Sequence, residues 1–259
     1  MLLAIDVGNS EITLGLFVGE RLIAHWRVTT VTQRTPDEWS SLLTSFLGHA
    51  GHSTQEVRAA VAASVAPGVT EGLLDGVQAA MGIRPIEVTP ASDLPIVLKV
   101  DDPVTVGADR VVNTLAAACI YERDTIVVDF GTATTFDCIT ADSTFLGGVI
   151  APGLRTAADN LSQQAAKLPA TELVPPKSAI GRRTEDCIRA GVLFGTADAV
   201  DGIVRRIKHE WPTDQIPYVV ATGGLAPKMA TLCSEIEHVE QNLTLLGLKI
   251  AAHHLGLRW

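Results

Sequence analysis

Short runs that are apolar or alternate apolar with polar residues fall at 2–6, 11–18, 21–29, 58–63, 125–130, 134–140, 144–150 and 217–222, and they predict strands. Longer stretches with apolar residues three and four apart predict helices over 36–50, 67–81, 105–121, 153–166, 184–210, 224–233 and 243–255. Pro36 and Pro67 suit first-turn positions, and Thr35 suits a helix N-cap. Proline-rich breaks at 85–95 and 169–176 predict loops. The alternation of strands with helices is that of an α/β protein.

Within this pattern one unit occurs twice. Ala4-Ile5-Asp6-Val7-Gly8-Asn9-Ser10 returns 123 positions later as Val127-Val128-Asp129-Phe130-Gly131-Thr132-Ala133. Each copy ends one apolar strand and precedes two more, which suggests a duplicated α/β domain, halves 1–117 and 118–259, with a cleft between them. An Asp closing a buried strand can hold a cation or its water shell at the sheet edge. The Gly two residues on permits a tight turn whose amides can face phosphate oxygens. One Asp-x-Gly is also a common hairpin turn; two in matched settings favour the ligand-binding reading.

Three other segments carry chemistry. Gly107-Ala108-Asp109-Arg110 sets an acid beside a guanidinium near a helix start. The Arg can grip a carboxylate or phosphate and the Asp can take a proton from a hydroxyl, although a surface ion pair has the same spelling. Thr222-Gly223-Gly224 follows a late strand, where small residues admit a flat ring close to the backbone, and Gly147 to Gly153 forms another glycine-rich passage. No GxxxxGK[ST] and no strand-following GxGxxG occurs.

Composition narrows the classes. Hydrophobic residues at 47% and charged ones at 19% support a sizeable core and exclude a disordered chain. Aromatics at 5% leave the packing to Ala, Val, Leu and Ile. The net charge of −9, with no dense basic stretch beyond Arg205-Arg206-Ile207-Lys208, argues against nucleic-acid or anionic-membrane partners. Cys119, Cys138, Cys187 and Cys233 form no CxxC, and the His49/His52 and His253/His254 pairs read as surface residues. With no signal-like segment and no bilayer-length apolar run, a soluble cytoplasmic protein is expected.

Asp6 to Ser10, Gly107 to Arg110, Asp129-Phe130-Gly131-Thr132-Ala133-Thr134-Thr135, Gly147 to Gly153, Ala179-Ile180-Gly181-Arg182-Arg183-Thr184-Glu185-Asp186 and Ala221 to Gly224, in this order, resemble the type III pantothenate kinases. The resemblance implies the duplicated ribonuclease-H-like fold of the actin, Hsp70 and sugar kinase superfamily. It also implies transfer of the ATP γ-phosphoryl group to the primary hydroxyl of pantothenate. By it, Asp6, Val7, Gly8, Asn9, Ser10, Glu11, Ile12 and Thr13 form the ATP phosphate loop, with Asp6 near Mg2+. Gly107, Ala108, Asp109 and Arg110 contact pantothenate, Asp109 being the proton acceptor and the catalytic residue. Asp129 binds a monovalent cation, K+ or NH4+; Thr132, Gly223 and Gly224 serve ATP, and Thr184 serves pantothenate. The resemblance further implies a homodimer, which the apolar series Ile188, Val192, Leu193, Ala197, Val200, Ile203 and Val204 also suggests. Ser10 stands where Thr is commoner in the family, and Leu246 where Glu is frequent. The competing readings are another small-molecule kinase of the superfamily and a non-catalytic relative of the accessory transcription factor type.

Overall fold

The computed structural model describes residues 1–259. The chain divides into two units, Met1–Ile120 with Leu243–Trp259, and Tyr121–Asn242.

In the first unit, β1 (Leu2–Val7), β2 (Glu11–Val18), β3 (Arg21–Thr29), β4 (Ala59–Ser64) and β5 (Ile86–Val88) form a sheet in the order β3-β2-β1-β4-β5. β1–β2 and β2–β3 are antiparallel, whereas β1–β4 and β4–β5 are parallel. Strand alternation gives the sheet two buried faces. Leu3, Ile5, Val7, Ile12 and Leu14 meet Trp39, Leu43 and Leu47 of α1 (Pro36–His49) and Val69, Leu73 and Val77 of α2 (Pro67–Met81). Leu2, Ala4, Phe17, Val61 and Ala63 meet Val111, Val112 and Leu115 of α3 (Ala108–Tyr121) and Leu245, Leu248 and Ala252 of α7 (Leu243–His254). Thr35 caps α1 in a reciprocal box with Glu38, and Pro36 and Pro67 occupy first-turn positions, as their chemistry predicts.

The second unit repeats that order. β7 (Thr125–Phe130), β8 (Ala133–Ile139), β9 (Thr144–Pro152), β10 (Tyr218–Thr222) and β11 (His238–Val239) run β11-β10-β7-β8-β9, again with two antiparallel and two parallel pairings. Ile126, Val128, Phe130 and Phe136 pack under α4 (Leu154–Gln164), α5 (Thr184–His209) and α6 (Ala226–Ala230). Strand for strand, β7 to β9 repeat β1 to β3, while β10 and β11 repeat β4 and β5. The duplicated ribonuclease-H-like arrangement is therefore present in both units.

Four expectations meet a different structure. The expected halves were continuous, 1–117 and 118–259, but residue 117 lies inside α3 and the C-terminal helix belongs to the first unit. The physical reason is that α7 is apolar enough to close the second face of the first sheet, crossing α3 where Gly247 leaves no room for a side chain against Val112. The predicted loop 85–95 contains β5, and the two-residue strand β6 (Val97–Leu98) follows it. The helix predicted from 105 starts at Ala108, because Pro103–Thr105 form a 3-10 turn and Val106 is extended. Finally, Ile188, Val192, Leu193, Ala197, Val200 and Val204 of α5 are buried in the second unit's own core with Ile203 against it. They offer no surplus surface for a partner.

Candidate active site

Asp6 is the penultimate residue of β1, opposite Thr13 on β2 and Ala63 on β4. Alternation puts Asp6 and Thr13 on the sheet face that carries Leu2 and Ala4, the face under α3 and α7. Their neighbours Val7 and Ile12 point the other way and are 0% exposed among the α1 and α2 side chains. Those two can offer a ligand only backbone groups. Between them, residues 8–11 make the turn. The Gly8 N–H donates to the Glu11 carbonyl at 3.0 Å, and a Cβ on residue 8 would stand 2.8 Å from that oxygen, so closure of this turn requires glycine. The Glu11 carboxylate is engaged by the Arg27 guanidinium, leaving exposed Asn9 and Ser10 at the tip.

Asp109 lies in the first turn of α3. Its Oδ1 accepts the Arg110 N–H at 2.8 Å, and the carboxylate folds back over Gly107, where any Cβ would overlap it. The same Gly107 position is 3.4 Å from Val65 Cγ1, and the Val65 N–H donates to the Val7 carbonyl at 3.0 Å. Val65 thus joins the end of β1 to the start of α3. Asp6 and Asp109, far apart in sequence, therefore occupy one end and one face of the first unit's sheet. Burial pushes the Asp109 carboxyl above its ordinary value of 3.8, with the Arg110 N–H and guanidinium opposing in part.

In the second unit Asp129 holds the position on β7 that Asp6 holds on β1, opposite Thr135 on β8 and Thr222 on β10. The turn is one residue shorter, with Phe130 paired to Thr134 and the Gly131 N–H bonded to the Ala133 carbonyl at 3.0 Å. Gly223 follows β10 with φ +90°; a Cβ there would lie 2.5 Å from Asp129 Oδ1 and 2.8 Å from the Phe130 carbonyl. Carboxylate and carbonyl oxygens are thus gathered where only a glycine fits, and that donor set suits a hard cation. Gly224 and Thr132 are exposed beside these turns. Thr184 opens α5 and is exposed.

Sequence reasoning therefore found the two turns, the α3 start and the β10 glycines, but missed three residues that set their geometry. These are Val65, Thr30, whose hydroxyl donates to the Gly8 carbonyl at 2.7 Å, and Thr156, whose hydroxyl donates to the Thr132 carbonyl at 2.7 Å. None carries a local signal, because each acts across the chain. No group of three or more His, Cys, Asp or Glu residues forms a metal cage. Mg2+ in phosphoryl-transfer sites needs only one or two carboxylates beside the substrate phosphates, so Asp6 remains a fitting ligand.

Comparison with known proteins matches residues 2–206 to the family model described as type III pantothenate kinase. A type III pantothenate kinase of Moorella thermoacetica is 43% identical over 250 residues, covering 96% of this chain and 98% of that one. One from Geobacter sulfurreducens is 43% identical over 251 residues, with coverage of 96% and 97%. Among solved structures, a Campylobacter jejuni protein described as a Baf family transcriptional activator superposes with a TM-score of 0.61 at 19% identity, covering 98% of each chain. The activator of the 2-hydroxyisocaproyl-CoA dehydratase from Clostridium difficile, with bound ADPNP, gives 0.57 at 14% identity, covering 98% of this chain and 96% of that one. At such identities the structural likenesses bear on the fold alone, whereas the sequence matches decide the family: this chain belongs to the type III pantothenate kinases.

Proposed function

We propose that this protein transfers the γ-phosphoryl group of ATP to pantothenate, giving 4′-phosphopantothenate in the first step of coenzyme A biosynthesis. Family membership supports the reaction and the substrates. The observation that carries the mechanism is the convergence of Asp6 and Asp109 on one end of the first unit's sheet, with Asp109 half-buried.

Phosphoryl transfer proceeds through a loose transition state, so catalysis is chiefly positioning and charge neutralisation. In this proposal the 8–11 turn lies along the phosphates and Asp6 holds Mg2+, which when bound neutralises phosphate charge. Asp109 orients the pantothenate hydroxyl and receives its proton as the P–O bond forms. Its raised pKa makes it a better acceptor than an ordinary aspartate. Arg110 suits the pantothenate carboxylate by bidentate pairing, with Gly107 and Ala108 admitting the substrate and Thr184 adding a hydroxyl contact. From the second unit, Thr132, Gly223 and Gly224 serve the nucleotide. The oxygen set at Asp129 fits K+ or NH4+, which when bound adds a positive charge near the phosphates. Cations and Arg110 thus supply the local positive field that a chain of net charge −9 lacks. A homodimer and a cytoplasmic location belong to the same proposal and rest on the family resemblance.

The regulator-only reading finds no support in the acids, since Asp6, Asp109 and Asp129 are all present. The deciding experiment measures ADP release on adding pantothenate or a panel of sugars, with and without potassium. Release with pantothenate only, enhanced by potassium, is expected; release with a sugar instead, or with neither, overturns the assignment.

A further inference from the structure

Each of the two Asp-x-Gly turns is held from outside by one threonine distant in sequence. Thr30, just past the end of β3, donates its hydroxyl to the Gly8 carbonyl at 2.7 Å and its N–H to the Ser10 carbonyl at 3.0 Å. Thr156, in the first turn of α4, donates its hydroxyl to the Thr132 carbonyl at 2.7 Å. Gly153 brings α4 this close, because a Cβ there would overlap the Gly131 and Thr132 carbonyls. The two braces come from different elements, a strand end in one unit and a helix start in the other, and each holds a carbonyl of its turn: that of the turn glycine Gly8 in the first, that of Thr132, one residue past the turn glycine, in the second.

The consequence follows from the peptide unit. No cis peptide bond is present, so each C=O points opposite to the N–H of the next residue. Fixing the Gly8 carbonyl on Thr30 turns the Asn9 N–H away from Thr30, and fixing the Ser10 carbonyl does the same for the Glu11 N–H. Fixing the Thr132 carbonyl orients the Ala133 N–H. A carbonyl turned towards a phosphate oxygen repels it, whereas an amide N–H attracts it. We infer that Thr30 and Thr156 are positioning residues: by holding turn carbonyls they aim turn amides at the phosphate groups of the nucleotide. This inference rests on the nucleotide-binding reading of the two turns.

The test uses the full-length protein with Thr30→Val, Thr30→Ser, Thr156→Val and Thr156→Ser. Thr44→Val serves as a control, because the Thr44 hydroxyl bonds only within α1, to the Ser40 carbonyl. Steady-state kinetics give KM for ATP and pantothenate separately, calorimetry gives affinity for a non-hydrolysable ATP analogue, and thermal melts report folding. Loss of one such hydrogen bond corresponds to about a five-fold weakening. Each Val variant is therefore expected to raise KM for ATP about five-fold and weaken the analogue comparably. KM for pantothenate should stay within about two-fold, and each Ser variant should restore ATP binding. An unchanged KM for ATP in both Val variants, or equal rises for both substrates that Ser does not repair, overturns the inference. If Thr30→Val fails to fold, the Thr156 pair decides, since that side chain is exposed on a helix. Failure of the unsubstituted protein to bind the analogue would instead defeat the nucleotide reading, and this inference with it.

Discussion

Gly223→Ala isolates the contact between the β10 turn and Asp129. Residue 223 has φ +90°, a conformation that costs a residue with a Cβ roughly 1–2 kcal/mol. A methyl group there would also stand 2.5 Å from Asp129 Oδ1, 2.8 Å from the Phe130 carbonyl oxygen and 3.0 Å from its carbon. The carboxylate can rotate away, but the Phe130 carbonyl belongs to a central strand and cannot retreat alone, so overpacking adds roughly 1–3 kcal/mol. The total is about 2–5 kcal/mol, a melting-temperature loss of about 4–20 °C for a chain of this size. Gly51→Ala is the matched comparison: Gly51 has φ +79° with nothing within 4 Å, so it incurs only the conformational cost. Melts of the two variants, with and without potassium, separate the terms. Gly223→Ala should lose at least about 1 kcal/mol more than Gly51→Ala and should lose stabilisation by potassium, because Asp129 is displaced. Equal losses in the two variants would refute the packing argument, and retained stabilisation by potassium would refute the cation assignment.

Asp109→Asn should lower turnover by about 10²–10⁴ while leaving affinity for a non-hydrolysable ATP analogue nearly intact. Asp6→Asn should weaken both, and equal affinity losses in the two variants would overturn the division of roles. Because burial raises the Asp109 carboxyl and the deprotonated form accepts the proton, kcat/KM should fall as pH drops through a value above 3.8. An acid limb at the ordinary aspartate value would count against this. Asp129→Ala should abolish activation by potassium or ammonium; full wild-type activity in sodium alone would refute the requirement. Sedimentation at micromolar concentration should show a particle of twice the 27.4 kDa chain mass, and monomer alone would refute the homodimer.

The two turns were legible because everything that makes them is local: an apolar run, an acid at its end, a glycine two positions on and a second strand. The repeated order of strands made the duplication legible for the same reason. The place of α7 was not, since a helix apolar on most sides announces burial without naming the sheet it covers, and here that sheet belongs to the other end of the chain. Nor could β5 be recognised, since its Ile-Glu-Val alternation lasts only three residues between prolines and its strand is fixed by pairing with β4. At the α3 start the spelling gave an acid beside an arginine, but not why glycine precedes them. The Asp109 carboxylate lies over Gly107, and a Cβ there would force that carboxylate to move.

The same division between local and distant signals bears on what each residue can do. Val7 and Ile12 fall inside the segment assigned to phosphate binding, yet strand alternation commits their side chains to the core, and only their backbone is left to a ligand. Thr30 and Thr156 fall outside every motif, yet they hold the carbonyls of the turns that the motifs define. A motif therefore marks where a turn forms, while the direction of its amides depends on contacts that enter from elsewhere in the chain. Substituting Gly8 removes the turn and its aim together. The outlying threonines allow the aim to be changed while the turn remains, which is why their effect should appear in ATP affinity before it appears in folding.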